Sequence, residues 1–342
     1  MAIRPSRRAR IPSSLFVMTL ALALAGCGGS DATDTPVAEA APQIPADQLI
    51  RTGDPYARGY SDDDFPRVTE LATGVYAYEQ LRSAGDEKFT TVSMFVVTDA
   101  GVLVADGQGS VEETQRLVDA IAGITDRPIT TVVVCSDHGD HTAGNSVFPA
   151  DAEYIAHPTS AAALEAMAAG AGAEAAPVRL ATRLVEDRTV LDMGGRSIEV
   201  LFLGRAHTGG DLVVYLPDEK IMFMSETYLH RIFPAMRSAY PSEWVDMIEA
   251  AQAMDVDIYV PGHGFVDDPS ILEAELELFQ GAIRVVIDEA TRLHGEGYDL
   301  VDAQAQVLFG DLETWTLRSS QGDRALQQVY AEINGELGGV SR

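Results

Sequence analysis

Ser136-Asp137-His138-Gly139-Asp140-His141, followed by Thr142-Ala143-Gly144-Asn145, places three metal-capable side chains within four residues. Directly before it runs Thr131-Val132-Val133-Val134-Cys135, a short apolar run rich in β-branched residues that reads as a buried strand. The ligand-type residues therefore fall on a loop at the C-terminal end of a strand, where open α/β sheets carry their sites. Zinc prefers His nitrogen and carboxylate oxygen, and this stretch offers both.

Further segments carry the same chemistry in chain order. Gly204-Arg205-Ala206-His207-Thr208-Gly209-Gly210-Asp211 is a His in a Gly-rich turn with a following Asp. Pro261-Gly262-His263-Gly264 follows the strand-like Asp257-Ile258-Tyr259-Val260. Between them, Ile221-Met222-Phe223-Met224 ends in Ser225-Glu226, and upstream Val102-Leu103-Val104-Ala105 ends in Asp106-Gly107.

In this order the segments resemble the metallo-β-lactamase superfamily, whose signature is His-x-His-x-Asp-His at a strand end. The resemblance spans roughly residues 66 to 268, and several ordered motifs make chance agreement a poor explanation. It departs at two positions: Ser136 stands at the first His of the signature, and Ser225-Glu226 stands where the family usually has Gly-Asp, the Asp bridging two metals. The resemblance implies an α/β fold, the αβ/βα metallo-β-lactamase sandwich, with the ligands along the shared edge of two sheets. The pattern agrees: two β-rich halves, each with amphipathic helical segments, are followed by a C-terminal helical extension.

Two ligand sets follow from the motifs. One uses His138 and His207 and lacks its third ligand at Ser136, because a neutral hydroxyl is a poor zinc ligand. The other uses Asp140, His141 and His263, with Glu226 completing it or contacting its water. One zinc ion rather than two is expected. By analogy with a mono-zinc branch of the β-lactamase relatives, which also lacks the first His, the catalytic set is Asp140, His138 and His207. The two imidazoles there accept a proton or hold an oxyanion. Ser136, Asp211 and Asp106 are expected behind the ligands, with Asp211 orienting a ligand His.

Other candidates read more plainly. Asp137 is expected to be exposed, and His157, His230 and His294, outside the motifs, to lie at the surface. Tyr228, Phe233, Met236, Tyr240 and Trp244 read either as the lining of a substrate pocket or as packing. Cys135 reads as a small buried hydrophobe.

The N-terminus reads as a targeting segment. Arg4, Arg7, Arg8 and Arg10 precede an apolar run from Leu15 to Ala25, too short to span a bilayer, and Leu24-Ala25-Gly26-Cys27 resembles the bacterial lipoprotein box. The expected organisation is a signal peptide over 1–26, lipidation at Cys27 and a flexible tether over 27–65. The catalytic domain follows over 66–268 and the helical extension over 269–342. The expected location is the cell envelope, lipid-anchored and facing the periplasm at the outer membrane. With Cys27 lipidated, Cys135 has no disulfide partner.

At 342 residues and 46% hydrophobic the chain can bury a sizeable core. Its formal charge of −28 becomes −32 without residues 1–26, which hold four Arg and no acidic residue. Such a surface repels nucleic acid and anionic head groups and argues against polyphosphate substrates, leaving the lipid anchor as the membrane contact. The expected function is a zinc-dependent hydrolase acting on a small neutral or cationic ester, lactone, amide or β-lactam, or activated halide. The alternative is a non-catalytic metal- or ligand-binding envelope lipoprotein that has lost one metal site. The C-terminal helices read as lying near the substrate mouth or as a homodimer contact.

Overall fold

The computed structural model describes residues 50–172 and 175–338. The expected signal peptide, Cys27 and the tether as far as residue 49 lie outside the described residues. The first half of the domain contains β1 (Arg67–Ala72), β2 (Val75–Ala84), β3 (Glu87–Thr98), β4 (Gly101–Ala105) and α1 (Val111–Ile124). It continues through β5 (Ile129–Val133), the single turn α2 (Gly139–Thr142), β6 (Glu153–Ala156), α3 (Pro158–Gly170) and β7 (Arg183–Leu184). The second half contains β8 (Arg188–Met193), β9 (Arg196–Leu201), β10 (Val213–Leu216), β11 (Ile221–Leu229), α4 (Pro241–Gln252) and β12 (Ile258–His263). The extension adds α5 (Pro269–Gly295), α6 (Leu300–Gln306) and α7 (Arg318–Ile333).

The strands run in the order β7-β6-β5-β4-β3-β12-β11-β10-β9-β8, with β2 also pairing with β3 and β1 with β2. The two halves meet where β12 pairs antiparallel with β3 at His263 and Thr91. That seam sets a candidate metal ligand at the shared edge.

Period-two alternation builds the layers. Along β4, Leu103 and Ala105 point into a central core while Val102 and Val104 point outward; along β5, Val133 does the first and Val132 the second. The central core also takes Val214, Ile221, Phe223 and Val260 from the other half, so it lies between the two sheets. The outward residues of the first half pack with Leu117 and Ile121 of α1 and Leu164 of α3. Those of the second half, such as Met222 and Met224, pack with Trp244, Ile248, Phe279, Ile283 and Leu326 from the helices α4, α5 and α7. Helix, sheet, sheet, helix is the expected αβ/βα order, with the C-terminal extension thickening one outer layer.

One local expectation changes, and two helix starts are fixed by long-range contacts. Residues 51–65 are not free tether: Arg58 donates to both Asp267 carboxylate oxygens at 2.7 and 2.9 Å, and Tyr60 stacks on Phe265 at 5.4 Å. Helix α4 begins with Pro241 after the cap residue Tyr240, and the N–H and Oγ–H of Ser242 donate to Glu332 of α7. Ser110 caps α1 by accepting from Glu113 N, while the Glu113 carboxylate pairs with Arg82 of β2.

Candidate metal centre

Each donor is placed by a distinct piece of backbone. After β5, the Asp106 carboxylate accepts from the N–H of Cys135 at 2.7 Å and of Ser136 at 3.4 Å, fixing where the motif loop starts. His138 precedes α2, and Thr142 Oγ1 donates to the His138 carbonyl at 2.9 Å, so one tight turn aims His138 and the Asp140–His141 pair into neighbouring spaces. His207 lies between β9 and β10, and His263 ends β12. Glu226 sits inside β11 where the pairing with β12 slips: Ser225 adopts φ 49°, a left-handed conformation uncommon for a non-glycine residue. Opposite it is Gly262, where a Cβ would fall 2.2 Å from the Ser225 carbonyl carbon. The bulge is thus packed in place, and it turns Glu226 into the centre of the site.

The donors form two groups that share Glu226. Asp140, His141, Glu226 and His263 make one, and His138, His207 and Glu226 make the other, with the ligating atoms of each group all within 4.8 Å. In the first, His263 Nε2 lies 3.3 Å from Asp140 Oδ2, 3.3 Å from His141 Nε2 and 3.2 Å from Glu226 Oε1. In the second, His207 Nε2 lies 3.2 Å from Glu226 Oε1 and 3.0 Å from His138 Nδ1, which is 2.9 Å from Glu226 Oε2. Zinc–nitrogen bonds of about 2.0–2.1 Å at tetrahedral angles hold ligand atoms about 3.3 Å apart. Facing imidazole nitrogens at that spacing fit a cation between them, and the His and carboxylate donor set suits zinc.

The outer contacts fix which nitrogen faces inward. His263 Nδ1 is 2.8 Å from the Thr90 carbonyl and so carries its proton there, leaving Nε2 for the site. His141 Nδ1 lies 3.0 Å from Asp106 Oδ2 without hydrogen-bond alignment, and its Nε2 faces His263 Nε2 at 3.3 Å. His207 Nδ1 is buried without a hydrogen-bond partner among the described residues. Trp244 meets the His207 ring edge-on at 5.1 Å and donates its Nε1–H to the Thr227 carbonyl at 2.9 Å. Solvent reaches the centre at His138 and Asp140, whose side chains are 12% and 25% exposed against 5% for Glu226 and 2% for His207.

The electrostatics favour positive charge at the centre. Burial opposes ionisation of Glu226, yet His207 and His138 hold its carboxyl well below the usual range. Asp140 is also held low, by His263 and His141 against burial and the Glu226 charge. Burial disfavours a charged His263, but Asp140 and Glu226 lift it to about 10; His138 is lifted by Glu226 to about 9. His207 goes the other way, its pKa lowered by burial.

Several sequence expectations change here. The His138–His207 set does not lack a third donor at Ser136, because Glu226 supplies one; the Ser136 hydroxyl donates to Glu226 Oε2 at 2.6 Å. Asp211 touches no ligand His. It accepts from Thr208 N–H and Oγ–H, both at 2.6 Å, bracing the turn beside His207, and burial lifts its carboxyl to about 7. Asp137 is largely enclosed rather than exposed, and burial raises its pKa. His230 is fully buried: Nδ1 contacts the Phe265 carbonyl at 2.7 Å and its backbone N–H donates to the His263 carbonyl at 2.9 Å. His157 and His294 are half-buried, stacked on Phe202 and edge-on to Tyr330. Tyr228, Phe233, Met236 and Trp244 belong to the core, whereas Tyr240 is half-buried under the Arg205 guanidinium at 3.8 Å. Cys135 is fully buried as expected. Thr90 and Ser238, whose Oγ is 3.4 Å from His138 Nε2, join the site without any motif marking them, and Ser225 joins it through its hydroxyl on Asp106.

Comparison with known proteins decides the family. The family model described as Metallo-beta-lactamase superfamily matches residues 87–263, a span that holds every donor named above. The chain belongs to the metallo-beta-lactamase superfamily. Members of this superfamily are metal-dependent hydrolases, and the chain's catalytic class is the same. It is 26% identical over 196 residues to 2,4-dinitroanisole O-demethylase subunit alpha of Nocardioides sp. (strain JS1661), covering 56% of this chain and 57% of that subunit. It is 22% identical over 218 residues to a metallo-beta-lactamase type 2 of Bacillus sp. (strain 170), covering 62% of this chain and 82% of the relative. Among solved structures, a double mutant of the sec-alkyl sulfatase PisA1 superposes with TM-score 0.62 at 16% identity, over 80% of this chain and 51% of that one. The metallo-beta-lactamase from Pontibacter korlensis gives TM-score 0.54 at 22% identity, over 63% and 98%. These likenesses establish the fold of the superfamily.

Proposed function

We propose that this superfamily member is a zinc-dependent hydrolase of small neutral or cationic molecules: an ester, a lactone, an amide or β-lactam, or an activated halide. The observation that carries this reading is the convergence of Asp140, His141, Glu226 and His263 on one point, with outer contacts from Asp106 and Thr90. Those four residues would hold the ion. Bound there, zinc lowers the pKa of a water to about 7 and polarises a substrate oxygen as a Lewis acid.

The chain's own residues do the rest. Asp140, the most exposed of these four donors, has one oxygen on His263 and the other available to accept a proton from the attacking water. His138 and His207 face the same space from across Glu226, so positive charge there, on the imidazoles or on an ion they hold, stabilises the oxyanion that develops on the substrate. The approach past His138 and Asp140 sets the direction from which substrate enters. The net charge of −28 disfavours polyanionic substrates and nucleic acid. The Cys27 lipobox supports a lipid-anchored protein of the cell envelope, facing the periplasm.

The test is zinc content and turnover together. Wild type, His141→Ala and His263→Ala are assayed on chromogenic esters, lactones, a β-lactam, aryl halides and, given the O-demethylase relative, activated aryl ethers. The reading expects zinc in the wild type, hydrolysis of one of these classes, and loss of both properties in each variant with the fold retained. Turnover that survives in His263→Ala refutes it.

A further inference from the structure

Resting on the metal-site reading above, we infer that Ser136 and Glu226 act as one unit. The Ser136 hydroxyl positions the longer Glu226 carboxylate so that it serves both donor groups, in place of the histidine missing from the motif. The geometry points to this from both sides of the contact. Ser136 is fully buried, and its Oγ has little to do but donate to Glu226 Oε2 at 2.6 Å while accepting weakly from His138 N–H at 3.4 Å. Glu226 Oε2, so held, lies 2.9 Å from His138 Nδ1, while Oε1 faces His207 and His263 at 3.2 Å each. One carboxylate therefore reaches across both groups, with one oxygen fixed by a hydroxyl and the other free to be shared.

Volume makes the two residues mutually dependent. An imidazole at position 136 would extend several bond lengths beyond Oγ, into the space Oε2 occupies 2.6 Å away. An aspartate at 226, one methylene shorter, would withdraw from His138 and from the Ser136 hydroxyl. Serine with glutamate and histidine with aspartate are thus two complete solutions, whereas either single exchange leaves an overlap or a gap. The Ser225 bulge packed against Gly262 supports the first solution by fixing where the longer side chain starts. Ser136 is accordingly a positioning residue, and the His138–His207–Glu226 group is a working second cation site.

The experiment is a zinc titration of the chelator-stripped protein by calorimetry, with bound zinc counted by mass spectrometry and folding checked by circular dichroism. Wild type should take up two ions per chain in two steps, the weaker one assigned by its loss in His138→Ala. Ser136→Ala should weaken that step by about 10–100-fold, the usual effect of removing a group that orients a metal ligand, and Ser136→Thr should preserve it by keeping the hydroxyl. Ser136→His and Glu226→Asp should each weaken the step, and the double variant should recover most of the loss, a non-additive cycle. A single ion in saturated wild type, an unchanged weaker step in Ser136→Ala, or additive effects in the cycle would overturn the inference. Should the buried histidine prevent folding, the Ala and Thr variants decide alone. Failure of the function proposed above is separable, because it removes the tighter step held by Asp140, His141 and His263, whereas failure here leaves that step intact.

Discussion

His141 Nδ1 lies 3.0 Å from Asp106 Oδ2, and both side chains are fully buried. The same Asp106 carboxylate accepts from Cys135 N–H and from the Ser225 hydroxyl, so one residue at the end of β4 ties together the motif loop, a ligand imidazole and the bulge that carries Glu226. Asp106 itself has φ 60°, which Asp and Asn tolerate better than most residues. Asp106→Asn keeps that backbone and the side-chain size while removing the negative charge beside His141. Zinc affinity should fall by about 10–100-fold, with circular dichroism unchanged. An affinity within a factor of two of wild type, read by chelator competition, would show that Asp106 only supports the backbone.

Zinc affinity should also rise with pH across the neutral range. His263 and His138 are lifted to about 10 and about 9 by the neighbouring carboxylates, so below those values the metal-free protein carries protons that an ion must displace. The sign for folding is opposite. These raised imidazole pKa values stabilise the metal-free fold fully below the unfolded value of about 6.5, and that stability is lost as pH rises through about 9 and 10. Chelator competition at pH 6, 7, 8 and 9 should give steadily tighter binding, and the melting temperature of metal-free protein should decline over the upper part of that range. Binding that is flat with pH would mean these imidazoles are neutral before zinc arrives.

The fold and most of the centre were legible in the sequence because their signals are local. A β-branched run followed by closely spaced His and Asp specifies a strand end with ligands, and the Gly-rich turns around His207 and His263 mark where backbone must approach closely. The reach of Glu226 was not legible. Sequence alone placed it at a strand end, but its position depends on a left-handed residue and on a register slip against β12, and neither leaves a pattern in composition or periodicity. Hence the His138–His207 pair read as short of a donor that is in fact shared. Asp137 and His230 were misplaced for a related reason: each is enclosed by residues distant in sequence, Asp137 near Ser160 and His230 among Phe265, Asp267 and Glu275. Burial created by long-range packing has no signature in the residues being buried.

Gly262→Ala tests whether that packing, and not the identity of the ligands, sets the centre. A Cβ at position 262 would fall 2.2 Å from the Ser225 carbonyl carbon and 2.6 Å from the Glu226 N, so β11 and β12 would have to separate or the bulge would have to flatten. Overpacking of this kind costs about 1–3 kcal/mol, within the range a domain of this size withstands. The expected result is a folded protein with a lowered unfolding midpoint in urea and weakened zinc binding, although no donor has been altered. Because Glu226 belongs to both donor groups, both binding steps should weaken together. If stability falls while the zinc titration keeps its wild-type shape, the bulge is a structural accommodation, and Glu226 reaches the centre by side-chain freedom alone.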